Sequence, residues 1–313
     1  MVEEPCPPAA ASAESTSARL VCDFEPGTVT VADTGVGAYG AVHVVTGPSS
    51  LVGRFCHHKG MCGRFAVSTD PASLAEKIKA IDETTGTGTV AGPNYNVAPT
   101  ATISTVVCRH DGPDGAATRR LRLMRWGLIP PWVKPGPDGA PETKGPHLIN
   151  ARADTLTTSP AFRSSAQSKR CLVPMDGFYE WRLRPDGRAG KKARKTPFYL
   201  YRADGEPLLV AGLWSVWKPG ENAAPWLTCA IVTTDAVGEV AEIHDRMPLV
   251  VAEHDWDRWL DPDTPVDLDL LSRPPELPDI RVREISTLVN NVRNNGPELI
   301  EPVEPQPEQA KLL

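Results

Sequence analysis

The chain has 313 residues and a formal net charge of −6 at pH 7, with 33 basic against 39 acidic side chains. This length fits one large domain or two modest ones, and the acidic balance excludes a protein that grips nucleic acid over its whole surface. No apolar run reaches the ~18 residues of a membrane span, and residues 1–30 lack the layout of a secretory signal, which predicts a soluble, cytoplasmic protein without a membrane partner.

Residues 1–60 are poor in large apolar side chains, so they predict a disordered or mis-assigned N-terminal extension. A compact domain is predicted over 61–303, followed by a disordered tail at 304–313. Seven cysteines, an odd number without a C-x-x-C pair, predict reduced thiols rather than a disulfide framework or a zinc site. We expect no metal and no cofactor.

The first predicted helix follows Asp70 and Pro71, an N-cap residue and a proline suited to the first helical position. Leu74, Ile78 and Ile81 fall on one face of that helix. Strand-like runs then follow at 102–108, 121–125, 171–175, 198–202, 207–216 and 226–233, and helical runs at 236–243 and 254–260. This order predicts an α+β fold with a mainly antiparallel, barrel-like sheet and a few flanking helices.

Cys62 directly follows Met61, so it can become the first residue of a mature protein. A terminal cysteine offers an amine (pKa ≈ 7.7–8.0) beside a thiol near 8.5, and both can attack one aldehyde. The amine would give a Schiff base, which the thiol would close to a thiazolidine ring. The alternative is that Cys62 is simply a small buried residue, and at this point both readings stay open.

Further motifs accompany the Met-Cys-Gly-Arg-Phe segment at 61–65. They are Asn-Tyr-Asn-Val-Ala-Pro-Thr at 94–100, Trp-Gly-Leu-Ile-Pro at 126–130 with Trp132, Asn-Ala-Arg-Ala-Asp at 150–154, Gly-Phe-Tyr-Glu-Trp at 177–181, His-Asp-Arg-Met-Pro at 244–248 and Asn-Val-Arg-Asn-Asn-Gly at 291–296. In this order, the set resembles the SOS-response-associated peptidase family, the abasic-site-processing proteins. The resemblance extends from about residue 61 to residue 303.

The resemblance implies a sensor that binds abasic sites in single-stranded DNA and captures the sugar aldehyde through Cys62, with Schiff-base lyase or autopeptidase activity as further options. The partner would be that DNA, and since nothing in the sequence suggests a coiled coil, we expect a monomer. By motif matching, the catalytic residues would be Cys62, Asn150, Glu180 and His244, with Asn150 and His244 holding the sugar and Glu180 shuttling protons. The DNA-binding residues would be Arg64, Trp126, Asn150, Arg152, Trp181 and Arg246, with Trp126 facing a base.

The residues themselves give these roles physical sense. Glu180, half-buried between two aromatic residues, could have the raised pKa that proton transfer needs, whereas the alternative is a surface carboxylate. His244 could be protonated or held in one tautomer, or it could be a structural histidine that ends a helix. Asn150 and Arg152 would share one side of a strand, although a turn asparagine with a solvent-exposed arginine is the alternative. Trp126 and Trp132 lie among Gly and Pro, a setting typical of a loop.

The chain departs from the family pattern because the nitrogen of Cys62 is in a peptide bond. Either translation starts at Met61, which is then removed, or the protein cleaves the leader itself. Two other hypotheses avoid this requirement. A cysteine peptidase would need only the Cys62 thiol and His244 as its base, and a non-catalytic single-strand binder would need only the aromatic and basic side chains.

Overall fold

The computed structural model describes residues 62–85, 92–112, 114–142, 147–184 and 194–303. The predicted N-terminal extension and C-terminal tail lie outside these ranges, so both stay predictions. Within the described part of the chain, no helix is long and apolar enough to cross a membrane.

Strands dominate the described residues and confirm the predicted α+β class. The strands are β1 (Phe65–Val67), β2 (Ile81–Asp82), β3 (Asn94–Val97), β4 (Thr102–His110), β5 (Ala117–Trp126), β6 (Asn150–Arg152), β7 (Arg170–Met175), β8 (Gly177–Arg184), β9 (Arg194–Arg202), β10 (Leu208–Trp217), β11 (Trp226–Asp235), β12 (Arg246–Pro248) and β13 (Ile280–Glu284).

The helices are short. The α-helices are α1 (Pro71–Lys77), α2 (Arg163–Ser168), α3 (Trp256–Leu260) and α4 (Leu268–Ser272), and 3-10 helices lie at Gly238–Glu242, Glu253–Asp255, Thr287–Asn290 and Pro297–Leu299. In α1 the Asp70 side chain accepts a hydrogen bond from the backbone N–H of Ser73, so the predicted cap is confirmed. The helix predicted at 236–243 is reduced to one 3-10 segment, where Gly238 has a left-handed φ of +58° that α-helix excludes.

Two sheets build the domain. The first has five strands in the order β13-β9-β8-β1-β3, with antiparallel neighbours. The second runs β12-β11-β10-β7-β4-β5-β2, with β6 added beside β11. A further parallel pairing joins β5 to β11, so that β4, β5, β7, β10 and β11 form a ring. The second sheet therefore closes into a ring, in agreement with the predicted barrel-like sheet. It also extends beyond that ring at both of its edges.

The main core lies between the first sheet and the ring. Phe65 and Phe178 from the first sheet pack there with Trp126, Val173 and residues of β10 and β11. A second cluster fills the space between the ring and the helices, and a third lies on the outer face of the first sheet beneath residues 285–303. Cys62 belongs to the main core, so the layer that holds the fold together also holds the proposed nucleophile.

Candidate active site around Cys62 and Glu180

Cys62 and Glu180 meet because β1 and β8 are neighbours. Phe65 pairs with Phe178, and the backbone N–H of Tyr179 donates to the Arg64 carbonyl at 3.0 Å. Just beyond this pairing, the backbone nitrogen of Cys62 donates a 2.7 Å hydrogen bond to Oε1 of Glu180. The Glu180 carboxyl group also raises the pKa of the Cys62 thiol, so the thiol lies near the same group. The backbone nitrogen and the thiol of Cys62 therefore face one carboxyl group.

Burial controls the electrostatics of this pair. Cys62 is 3% exposed and Glu180 is 1% exposed, so Glu180 is more deeply buried than the half-buried setting predicted from its sequence. Burial raises the pKa of the Cys62 thiol well above its usual value, the Glu180 charge raises that pKa further, and Arg246 opposes the rise. Burial also raises the pKa of Glu180, opposed by His244 and by the hydrogen bonds from Cys62. A carboxyl group in such a site can both give and take a proton.

The backbone at Cys62 is strained. Its φ of +31° lies in the left-handed region, which a side chain with a Cβ rarely adopts. Strain of this kind persists only where the surroundings impose it, and it is concentrated at functional sites. In this conformation the backbone N–H of Cys62 donates to Glu180.

His244 lies near the same carboxyl group, just before β12. Its ring is mostly buried, and its Nδ1 lies 3.1 Å from the backbone nitrogen of Arg246 and 3.0 Å from a carboxylate oxygen of Asp245. Nδ1 accepts from this backbone N–H when the ring carries its proton on Nε2, so the turn at 244–246 holds the ring in place beside Glu180.

Asn150 and Arg152 both lie on β6, which pairs in parallel with Ile231 to Thr233 of β11. Ala151 between them is buried in the core, so Asn150 and Arg152 face the opposite side, as the strand interpretation predicted. The Arg152 guanidinium is half-exposed and makes a forked contact with Asp154 at 3.0 and 2.7 Å.

Two predicted DNA contacts have other partners in the structure. Arg246 is 5% exposed and donates to Asp235 and to the Thr233 carbonyl, so it holds β12 against β11. A phosphate would have to displace these partners. Arg64 is partly buried and donates through one nitrogen to Asn96 and to the Val289 carbonyl.

Trp126 corrects a prediction. It ends β5 rather than lying in a loop, it is 0% exposed, and its Nε1 donates to the Ile149 carbonyl at 2.9 Å. A ring without exposed surface cannot stack on a nucleobase, so the base-facing role expected for Trp126 is wrong. Trp132 is 57% exposed, and Trp181 is partly exposed with its Nε1 bonded to Asn290 at 2.7 Å.

Sequence reasoning missed Asn96 and Asn290. Asn96 is 3% exposed and joins Arg64 to the backbone at 289–294. The signal available was its position inside the Asn-Tyr-Asn motif, which pointed to no particular partner. Within the described residues, no cluster of His, Cys, Asp or Glu is arranged to hold a metal ion.

The comparisons with known proteins are consistent across sequence and structure. Residues 61–292 match the family model described as SOS response associated peptidase (SRAP). The chain is 38% identical over 244 residues to the abasic site processing protein YoqW of Bacillus subtilis, covering 77% of this chain and 99% of that protein. It is 31% identical over 236 residues to the abasic site processing protein HMCES of Gallus gallus, covering 68% of this chain and 67% of that protein.

Solved structures share the fold. A Bacteroides thetaiotaomicron protein superposes with a TM-score of 0.63 at 23% identity, covering 78% of this chain and all of that chain. A phage-related protein of Bordetella bronchiseptica superposes with a TM-score of 0.51 at 29% identity, covering 72% of this chain and 94% of that chain.

Proposed function

The chain belongs to the SOS response associated peptidase family, and from this premise we propose that it captures abasic sites in single-stranded DNA covalently through Cys62. Relatives that share 38% and 31% of their aligned residues are named abasic site processing proteins. Similarity to these relatives supports processing of abasic sites as the general activity. The thiazolidine adduct is the more specific part of the proposal, and it depends on the chemistry of the Cys62 site.

One observation carries the proposal: the nitrogen of Cys62 donates a 2.7 Å hydrogen bond to Glu180, and the thiol of the same residue lies near enough for that carboxyl group to raise its pKa. In a chain that begins at Cys62, that nitrogen is the α-amine. It adds to the sugar aldehyde, and a proton from Glu180 allows the carbinolamine hydroxyl to leave as water. The thiol then adds to the carbon of the protonated imine, forming the C–S bond, while the thiol proton returns to the Glu180 carboxylate that gave up its own. One water is lost in total.

The neighbouring side chains supply the binding functions. We assign Asn150 and His244 to the sugar, because β6 and the segment before β12 flank the same end of β11. Arg152, exposed at this edge, is assigned to a phosphate. Trp181, adjacent to Glu180 in sequence, and exposed Trp132 are assigned to base stacking, worth ~1–3 kcal/mol per base whatever the sequence. The imine intermediate also permits strand cleavage by β-elimination, a lyase activity of the same site.

The proposal requires a working form that begins at Cys62. The family model matches from residue 61, and YoqW is covered over 99% of its length by 77% of this chain, which supports a start or a cleavage next to Met61. Initiation at Met61 followed by methionine removal gives this form, and so does self-cleavage of the Met61–Cys62 bond. We place this protein in the cytoplasm, as a monomer.

The peptidase alternative is less well supported. Peptidase cysteines have a lowered pKa that maintains a thiolate, whereas burial and Glu180 raise the pKa of the Cys62 thiol. Non-catalytic binding would leave unused the placement of the Cys62 nitrogen and thiol beside Glu180.

The test is a crosslinking gel with abasic single-stranded DNA, using protein expressed from Met1 and from Met61, with intact mass measured for each adduct. We expect a borohydride-trappable and then a stable adduct, whose protein part begins at Cys62. The matched variants are Cys62→Ala, expected to lose the stable adduct, and Cys108→Ala, expected to keep it because Cys108 lies on β4. An unchanged adduct with C62A, or an adduct that retains Met1, would refute the proposal.

A further inference from the structure

A compact turn at residues 288–294, called here the anchoring turn, packs against the outer face of the first sheet. Asn294 donates through its side chain to the Leu288 carbonyl at 2.8 Å and through its backbone N–H to the Asn291 carbonyl at 3.1 Å. The turn therefore has its own internal bonds. Val289 within it is fully buried in the outer cluster.

Asn96 fastens this turn to β3. Its side-chain nitrogen lies 3.3, 3.0 and 2.9 Å from the carbonyls of Val289, Asn291 and Asn294. Its side-chain oxygen accepts from the Arg64 guanidinium at 2.6 Å, and the same guanidinium nitrogen donates to the Val289 carbonyl at 3.0 Å. One buried amide thus uses both its donor and its acceptor in this contact.

The turn also reaches both halves of the reactive pair. Arg64 is two residues from Cys62, and its guanidinium is held by Asn96 and the turn. Trp181 directly follows Glu180, and its Nε1 donates to the side-chain oxygen of Asn290 in the turn at 2.7 Å. A movement of the turn would therefore shift the segment that carries Cys62 and the strand that carries Glu180.

We propose that Asn96 is a positioning residue, which holds the anchoring turn against the segments of Cys62 and Glu180 and so sets the spacing of the reactive pair. Asn96 acts through Arg64 and the turn, at a distance from the reacting atoms. In this arrangement the guanidinium of Arg64 serves the internal network. The role in DNA capture rests on the proposed function, because the pair is reactive only if that function is correct.

The decisive variant is Asn96→Asp, which keeps the oxygen that accepts from Arg64 and replaces the donor nitrogen with an oxygen facing three carbonyls. Asn295→Asp is the matched control. Asn295 is exposed and next to the turn, and its side-chain oxygen, which accepts from the Tyr95 backbone N–H at 2.6 Å, survives the change. Asn290→Ala is a second variant at an exposed position, where folding is not at risk.

Single-turnover crosslinking with abasic single-stranded DNA separates positioning from binding. We expect N96D to lower the maximal rate by about tenfold or more, because small misplacements of reacting groups cost that much. The half-saturating DNA concentration should stay within about twofold of wild type, and N295D should match wild type in both. N290A should lower the maximal rate, and it should also raise half-saturation because Asn290 holds the Trp181 indole that we assign to base stacking. A wild-type maximal rate in N96D, or an effect confined to half-saturation, would overturn the proposal.

Alkylation of the free protein by iodoacetamide, followed at each cysteine by peptide mass, tests the positioning without DNA. We expect N96D to speed alkylation of Cys62 by about tenfold while Cys171 and Cys229, both 0% exposed, stay protected. Equal acceleration at all three cysteines would mean general unfolding and would overturn a positioning role. If wild-type protein forms no crosslink but Cys62 alone is accelerated, the proposed function fails and the positioning stands.

Discussion

Replacing Trp126 with Phe separates a core role from a DNA-stacking role. The indole is fully buried, lies edge-on to Phe65 at 5.1 Å between ring centroids, and donates to the Ile149 carbonyl. That carbonyl also accepts from the Ile231 backbone N–H at 2.9 Å, so the variant leaves no buried acceptor without a donor. The lost hydrogen bond costs about 1 kcal/mol, and the smaller ring about 1–2 kcal/mol more.

W126F should therefore lose about 2–3 kcal/mol of unfolding free energy in urea titrations, a loss that a domain of ordinary stability survives. Its affinity for intact single-stranded DNA, measured by fluorescence anisotropy, should stay within about twofold of wild type. Trp132→Ala should have the reverse effect. Because this ring is exposed, its loss should weaken DNA binding about tenfold and change the unfolding free energy little. A W126F protein that binds DNA about tenfold more weakly while its unfolding free energy is unchanged would contradict a purely structural role for Trp126.

Three further outcomes follow from burial and charge. Because burial raises the pKa of Glu180, the unfolding free energy of wild type falls as pH rises above the ordinary glutamate pKa, so the melting temperature of Glu180→Gln should rise relative to that of wild type as pH increases from about 4. Gly177→Ala should cost about 1–3 kcal/mol in urea, since its Cβ would lie 2.5 Å from the Leu200 carbonyl oxygen. Added salt should slow adduct formation, whereas an adduct already formed should survive about 1 M NaCl.

Local patterning predicted most of the second sheet. The apolar runs at 102–108, 171–175 and 226–233 all lie inside observed strands, because a buried strand needs side chains that suit a sheet whatever its partner. The end of β5 was predicted wrongly because its structure depends on a distant pairing partner rather than on local pattern. Trp126 is followed by Gly and Pro, yet it stays in a strand because it pairs in parallel with Cys229, about a hundred residues away, and local pattern contains no information on that pairing.

The candidate site, like the fold, could be predicted from the sequence only in part. Cys62 and Glu180 could be singled out because their chemistry is visible in residue type and in immediate neighbours. Their contact, and the depth of their burial, depend on β1 lying beside β8. Asn96 could not be singled out, since its bond to the Val289 carbonyl spans 193 positions of sequence. A positioning network is made of ordinary amides, and only the fold distinguishes one amide from another.

The charges at the rim of the site bear on how DNA would be retained. Arg152 is already paired with Asp154, and Arg246 with Asp235, so a phosphate that binds either guanidinium replaces a carboxylate. The exposed Arg152–Asp154 pair is worth about 0–1 kcal/mol, and exchanging one anion for another yields less than binding to a free cation. Under the proposed function, reversible contacts therefore hold an intact strand weakly. The covalent bond at Cys62 is what retains the DNA, and it forms only where the strand offers an aldehyde. Selectivity for damaged DNA follows, because an intact strand has only the weak reversible contacts.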